Sequence, residues 1–358
     1  MIETLDKKYA DDTAQYGGLR QLLFNKLDFD NHEEVIPFVE KIYPTLSDNS
    51  TLQRSALRVL IRIASKKSLS SLVKLLLEKP LKDSKEAFYI FLDDSITNVK
   101  ALYPKIYKLL DQKVLSYSVY QITLNALDSN VISKNELLPI KERLLSEANT
   151  YLSHNKNNKE DDDEGFGNLS TILSLLAYFP EDKNCERVIK SALDYKDNFI
   201  KWHATKILIK SGKTVESKYF NHIAADKSYL IEMYTWLKEN KKLLLFPKSF
   251  INQQLFAESA LYTSLNEDSD SKYNFQFKLI EKRTVNYQEK KGVVYLFKFE
   301  QANEEGKLEM YTGMSGLYSI DKTDMENDWN LTYSKFETLK SKTINEHFTT
   351  YLSDMETK

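Results

Sequence analysis

With 358 residues, 42% of them hydrophobic and 12% aromatic, the chain has apolar material for two domains or one extended solenoid, which excludes wholesale disorder. Its 50 Lys plus Arg nearly cancel 52 Asp plus Glu, so no global field draws it onto nucleic acid or an anionic membrane. Either partner would need a local patch. The single cysteine, Cys185, rules out an internal disulfide, and with no second Cys or nearby His it suggests no zinc site. The longest apolar runs, such as "LLLF" at 243–246, fall far short of the roughly 20 residues of a membrane-spanning helix. The opening "MIETLDKKYADD" lacks a basic segment followed by an apolar one, which favours the cytoplasm by default; a fragment of a secreted cell-envelope protein would begin in the same way.

Nine Gly and seven Pro suit a helical chain with short connections. In chain order, "IPFVEKIYPTLSDNSTLQRSALRVLIRIA" (36–64) predicts two amphipathic helices around a polar turn at Asp48, followed by helices over 69–79 and 84–94. "VKALYPKIYKLLDQKVLSYSVYQITLNAL" (99–127) repeats that plan with its turn at Asp111, and helices over 136–152 and 169–179 follow. A third copy, "CERVIKSALDYKDNFIKWHATKILIKSG" (185–212), turns at 194–197, and helices over 216–225 and 228–239 come next. Pro80, Pro180 and Pro247 stand at helix ends. In the first and third copies Leu52, Ala56 and Leu60 correspond to Ile200, Ala204 and Leu208, each 148 positions apart.

That plan resembles HEAT and armadillo-like repeats over about residues 19–245. In those repeats a polar turn with Asp precedes a second helix carrying a small residue where neighbours approach closely. Ala56 and Ala204 fill that place, and Val119 stands near it in the middle copy. The resemblance implies a right-handed α-solenoid. The physical reason for stacking is independent of the name: each helix pair has an apolar face too wide to bury alone, so neighbours must cover it.

After "SFINQQLFAESALYTSL" (249–265), the polar run "NEDSDSK" marks a boundary and the apolar period changes from 3.6 to 2. Tyr273, Phe275, Phe277 and Leu279 alternate in a first strand; Val293, Tyr295, Phe297 and Phe299 share one face of a second; "KLEMYTG" follows the turn "NEEG" as a third. Phe336, Leu339, Ile344, Phe348 and Leu352 then form a helical stripe suited to cover the sheet. The expected fold class is therefore mainly α: a HEAT-like α-solenoid over 1–265, with an acidic loop at about 153–168, and a small α+β module over 270–358 made of a three-stranded antiparallel sheet plus a helix. The segment "KKGVVYLFKFEQANEEGKLEMYTGMSG" resembles C-terminal segments of bacterial TraB/GumN-type envelope proteins, but the Gly-x-x-His of that family's enzymatic portion is absent, so the likeness implies no activity.

No catalytic, metal or cofactor motif is complete. "KSGKT" (210–214) imitates the end of a phosphate loop, yet Ile207 stands where the first Gly belongs, so Gly212 reads as a left-handed helix terminator. In "KEDDDEGFGN" (159–168), Glu160, Asp162 and Glu164 suit calcium-ligand positions around Gly165, but Thr171 replaces the closing Glu, which favours a solvated loop. Ser315 in "YTGMSGLY" lacks the Gly-x-Ser-x-Gly pattern and reads as part of a tight loop after a strand. His32, His154, His203, His222 and His347 form no His-x-His or His-Glu-x-x-His pair, and His203 reads as part of a repeat helix.

The candidate binding feature is a basic ridge: Arg54, Arg58, Arg62 and Lys66 recur every four residues, opposite Leu57, Leu60, Ile61 and Ala64. Three of the chain's seven arginines stand here, and arginine suits planar recognition of carboxylate or phosphate. The competing reading is a face that pairs with Glu78 or Glu86. The expected function is a non-catalytic interaction scaffold binding a protein or peptide, acidic if the ridge contributes, on the solenoid's concave face, with no cofactor. The alternatives are an ancillary C-terminal fragment of a larger TraB/GumN-type envelope enzyme and a HEAT-like nucleic-acid binder akin to DNA glycosylases, against which the charge balance argues.

Overall fold

The structure, a computed structural model, describes residues 18–27, 32–46, 50–82, 100–154, 163–267, 275–287, 290–303, 306–325 and 336–356. It is mainly helical, with a four-stranded antiparallel sheet towards the C-terminus. Two compact units divide it: Met1–Lys196 with His203–Lys213, and Asp197–Trp202 with Thr214–Lys358. The helix expected over 84–94, the ligand positions Glu160 and Asp162, and strand residue Tyr273 lie outside the described residues.

The first unit holds α1 (Gly18–Leu27), α2 (Ile36–Ile42), α3 (Ser50–Ile63), α4 (Lys66–Glu78), α5 (Lys113–Asp128), α6 (Lys134–Leu137), α7 (Lys141–His154), α8 (Asp163–Leu176) and α9 (Lys183–Ser191), and α10 (Asn198–Lys210) contributes residues to both units. The matched repeat positions are all buried: Leu52, Ala56 and Leu60 in α3, Val119 in α5, and Ile200, Ala204 and Leu208 in α10. Their spacing of four keeps them on one helix face, where neighbouring helices remove them from water. The middle copy departs from the expected plan. Its first half is not α-helical but two 3-10 segments, Lys100–Leu102 and Lys105–Asp111, with Ile106, Tyr107, Leu109 and Leu110 still buried. Pro104 sits between them and supplies no N–H for a continuous α-helical ladder.

Helix ends follow local chemistry. Asp182 caps α9, its Oδ1 accepting from the Asn184 and Cys185 N–H groups at 2.8 and 3.3 Å. Lys141 Nζ donates to its Oδ2 at 2.7 Å, and these bonds hold the Asp182 carboxyl below its ordinary range. One turn on, hydrogen bonds from Lys190 and Lys213 lower the Glu186 carboxyl to about 2. Cys185 is buried under this cap, and burial pushes its thiol up to about 11, so it packs as a small hydrophobe. Gly212 ends α10 as expected: at φ 71 it lets its own N–H reach Ile209 O and the Lys213 N–H reach Leu208 O.

The second unit adds α11 (Ser217–Ala224), α12 (Leu230–Glu239) and α13 (Gln253–Glu267), then β1 (Lys278–Tyr287), β2 (Lys290–Ala302), β3 (Leu308–Tyr318), β4 (Glu337–Thr338) and α14 (Ile344–Glu356). The strands run in the order β1-β2-β3-β4. A fourth strand is therefore present, two residues long, pairing Glu337 and Thr338 with Thr312 and Tyr311. β1 starts later than expected and continues to Tyr287, with Lys282, Thr284 and Asn286 exposed along it. The middle of β2 is buried on both faces. Val294 and Leu296 join Met314, Phe348 and Tyr351 in one core, while Tyr295, Phe297 and Phe299 face the other way. α14 supplies only part of the expected covering stripe. Phe336 precedes β4 and packs on the opposite face, its ring 5.3 Å from Phe299.

That opposite face is covered by α13, whose Phe256, Ala257, Ala260 and Leu261 are buried. α13, expected within the helical part of the chain, therefore belongs to the same unit as the sheet, whose aromatic face its apolar side covers. Close approach is possible because Gly313 has no side chain: a Cβ there would lie 3.1 Å from the Phe336 ring and 3.2 Å from Leu261. The start of α13 is fixed by the buried Gln253. Its Nε2 donates to the carbonyls of Ser319, Asp321 and Asp324 at 2.9, 3.0 and 2.8 Å, and its Oε1 accepts from Tyr295 OH at 3.2 Å.

Replacing Gln253 with Ala should cost about 2 kcal/mol, because three part-buried carbonyls lose their donor. Gln253→Glu should cost at least as much at neutral pH, since a carboxylate cannot donate to those carbonyls. Chemical denaturation of both variants measures this; a cost within experimental error of zero for either would contradict the clamp.

Candidate functional site

The candidate ridge begins on α3, a helix nearly enclosed by its neighbours. Leu52, Gln53, Ser55, Ala56, Leu57, Val59, Leu60 and Ile61 are all buried, which leaves a narrow open stripe. Arg54 and Arg58 stand half-buried on that stripe and Arg62 exposed, so their spacing does place them along one side. All three are already engaged in interactions. Lys66 does not continue the ridge. α3 ends at Ile63, Ala64 adopts φ 51, and Ser65 caps a new helix in which Lys66 is the first residue. A residue at positive φ reverses the chain direction locally, so the four-residue period cannot run through it.

The basic face therefore resumes on α4 in a different setting. Ser65 and Ser68 form a reciprocal capping box, with N–H to Oγ distances of 3.0 and 3.2 Å, which fixes the first turn. Leu69, Leu72, Leu75 and Leu76 turn inward, and Lys66, Lys67 and Lys74 turn to solvent. These lysines, with Ser70 and Ser71, form one wall of an open depression of about 520 Å3, and Glu33 and Glu40 complete its lining. Ser71 Oγ donates to Glu40 Oε1 at 2.6 Å, and Lys105 Nζ donates to Ser70 Oγ at 2.7 Å, adding a fourth lysine beside it. Among the described residues Lys66, Lys67 and Lys74 form no ion pair. Two of them occupy the first turn of α4, which has no acidic residue, so their charge adds to the positive end of the helix dipole.

Three arrangements elsewhere have the residue types of catalysis without its geometry. Ser174 Oγ lies 2.8 Å from His203 Nε2, but Ser174 is inside α8, where neighbouring amides are committed to helical bonds and cannot stabilise an oxyanion. Ser315 is not in a loop after the strand as expected. β3 continues through it to Tyr318, and the serine is fully buried. The third arrangement was not legible in the sequence: Thr312, Glu337 and His347 meet in the second unit. His347 is fully buried, its Nδ1 3.2 Å from Glu337 Oε2 and 3.3 Å from Thr312 Oγ1, its Nε2 3.3 Å from Leu339 O. A nucleophile and an orienting acid use opposite ring nitrogens in a triad, whereas here both meet the same one. Tyr351 OH donates to Thr312 O at 2.7 Å and accepts from the Glu337 N–H at 3.3 Å, and burial raises its phenol above the ordinary tyrosine range. The group binds β3, β4 and α14 together. No cluster of metal-ligating side chains occurs among the described residues.

No family model matches the chain, and no curated protein or solved structure matches it either. The geometry of its own residues is what carries a functional reading.

Tyr351→Phe should lower stability by about 2 kcal/mol, because buried partners on β3 and β4 lose their hydroxyl. Thermal melting followed by near-ultraviolet circular dichroism reads the loss; a melt indistinguishable from wild type would show that the network is not what joins α14 to the sheet.

Proposed function

We propose that the chain is a non-catalytic interaction module whose depression beside α4 takes an acidic segment of a partner protein. The observation that carries this reading is the group of three exposed lysines, Lys66, Lys67 and Lys74, which form no ion pair among the described residues, the first two of them in the field of a helix N-terminus. Carboxylates of an incoming segment would meet cations whose backbone is already fixed on a capped helix, so only the lysine side chains need ordering at the contact. Lys105, fixed on Ser70, extends the same wall. Glu33 and Glu40 on the facing wall favour register, since a segment placed with its acids against them is repelled. The likeness of the helix pairs to HEAT repeats supports the same reading, because stacked pairs of that kind offer continuous surface to a protein or peptide.

The arginines of α3 have a different part in this reading. Being engaged already, they shape and rigidify the neighbouring face. Direct recognition falls to the lysines.

The test is fluorescence anisotropy with a labelled peptide of alternating Glu and Ser, against a Lys–Ser peptide of equal length. Binding of the acidic peptide should weaken steeply between roughly 0.05 and 0.5 M salt. It should be lost in the Lys66→Glu, Lys67→Glu, Lys74→Glu variant, with helical circular dichroism unchanged. Equal affinity of variant and wild type, or equal affinity for the two peptides, would refute the assignment.

A further inference from the structure

In the second unit, large apolar side chains are exposed in one concentrated place. Leu243, Leu244, Leu245 and Ile251 fall within nine positions, with Leu244 fully exposed and the others 37–40% exposed. Elsewhere among the described residues such side chains stand singly, as Leu22, Leu138 and Phe199 do. Scattered apolar residues need no explanation, but a contiguous patch does.

The patch is built and held. α12 ends in a left-handed residue, Lys241 at φ 57, with the Lys242 N–H bonded to Leu237 O at 2.7 Å and the Lys241 N–H to Lys238 O at 3.0 Å. This is the arrangement that usually takes glycine, and it turns the chain sharply out of the helix. A 3-10 turn, Leu243–Leu245, follows. Phe246 then anchors the far end: it is 3% exposed, with its ring 5.2 Å from Tyr234 and 6.1 Å from Phe256. The leucines are thus presented on a short, fixed protrusion between two tethered ends.

Positive charge flanks them in the sequence. Residues 238–250 hold four lysines, Lys238, Lys241, Lys242 and Lys248, against one acid, Glu239, in a chain whose net charge is -2. A second cationic feature begins at Ile251: an open depression of about 520 Å3 lined in part by Lys282, Lys322 and an Arg283 already paired with Glu281 at 2.6 Å, with Tyr295 at its side, the exposed Ile320 on its edge, and no carboxylate in its lining.

We propose that this face docks on an anionic lipid bilayer, with the leucine protrusion inserted among the headgroups and Lys241, Lys242 and Lys248, with the depression of Lys282 and Lys322, facing lipid phosphates. The shape argues for a bilayer as occupant. A protrusion whose central leucine is fully exposed suits a medium it can penetrate, and leucines flanked in the sequence by exposed lysines match the boundary between acyl chains and anionic headgroups. The protrusion is far too short to span the membrane, and no described helix is long and apolar enough to do so. This surface is separate in its residues from the depression beside α4, so either proposal can fail alone.

The experiment is flotation of the full chain with vesicles of phosphatidylcholine, alone or with about 30% phosphatidylserine. Wild type should partition at least tenfold more strongly onto the anionic vesicles. Leu244→Asp, at a fully exposed position and so compatible with folding, should weaken that partitioning at least tenfold with an unchanged melting temperature. Lys242→Glu with Lys248→Glu should do the same, and Lys66→Glu, Lys67→Glu, Lys74→Glu should leave it unaltered. The proposal is overturned if wild type does not float, if Leu244→Asp floats like wild type, or if only the α4 lysines matter. It is also overturned if analytical ultracentrifugation shows a dimer that Leu244→Asp abolishes while neither protein floats, which would assign the patch to a second copy of the chain.

Discussion

The aromatic face of the sheet can leave water only if a helix lies almost on the strand backbone, and the bare Cα of Gly313 is what allows it. A Cβ at this position would lie 3.1 Å from the Phe336 ring and 3.2 Å from Leu261, closer than an ordinary contact, so a side chain here would force these neighbours to give by a few tenths of an ångström and loosen the cover over Tyr295, Phe297 and Phe299. Much of the second unit depends on the same helix. Its first residue, Gln253, gathers the carbonyls of the segment that leaves β3, and Phe256, one turn on, packs against Phe246 and Tyr234. Ser259 reaches back to Lys227 O at 2.5 Å. The sheet, the chain leaving it and the leucine protrusion therefore share one support.

The two proposed surfaces are both cationic in a chain of nearly balanced charge, yet they differ in what accompanies the charge. Around α4 the lysines stand beside serines and glutamates in a polar depression. Near α12 they flank exposed leucines in the sequence. Charge with polar neighbours selects a ligand by placing its acids, whereas charge with exposed apolar surface gains from burial as well. That difference in chemistry, more than any difference in net charge, is why a peptide is proposed for one surface and a lipid bilayer for the other.

What the sequence could reveal follows from the range of each interaction. That Ala56 and Ala204 lie on buried helix faces and that Gly212 ends a helix was legible because helix faces and helix ends are set within a few residues. The break at Ala64 was not, since the basic period runs through it without a proline or glycine to mark the end of α3. β1 was placed too early because Phe275 and Phe277 alternate strongly, while its true course carries Lys282, Thr284 and Asn286 outward. α13 has the periodicity of a repeat helix, and only long-range contacts with Gly313 and Phe336 reveal that it belongs with the sheet. The Thr312–Glu337–His347 group joins residues up to 35 positions apart and leaves no local signal. The "LLLF" run was visible at once, but its length says only that it cannot span a membrane; its exposure comes from the αL turn at Lys241 and the burial of Phe246.

The dependence of the second unit on α13 is open to direct measurement by native-state hydrogen exchange resolved to single amides. If the helix and the sheet are one cooperative structure, the protected amides of α13, β2 and β3 should open together, with a common free energy and a common denaturant dependence. If α13 opens at distinctly lower free energy while β2 and β3 stay protected, the sheet does not need it, and the central constraint placed on Gly313 is wrong.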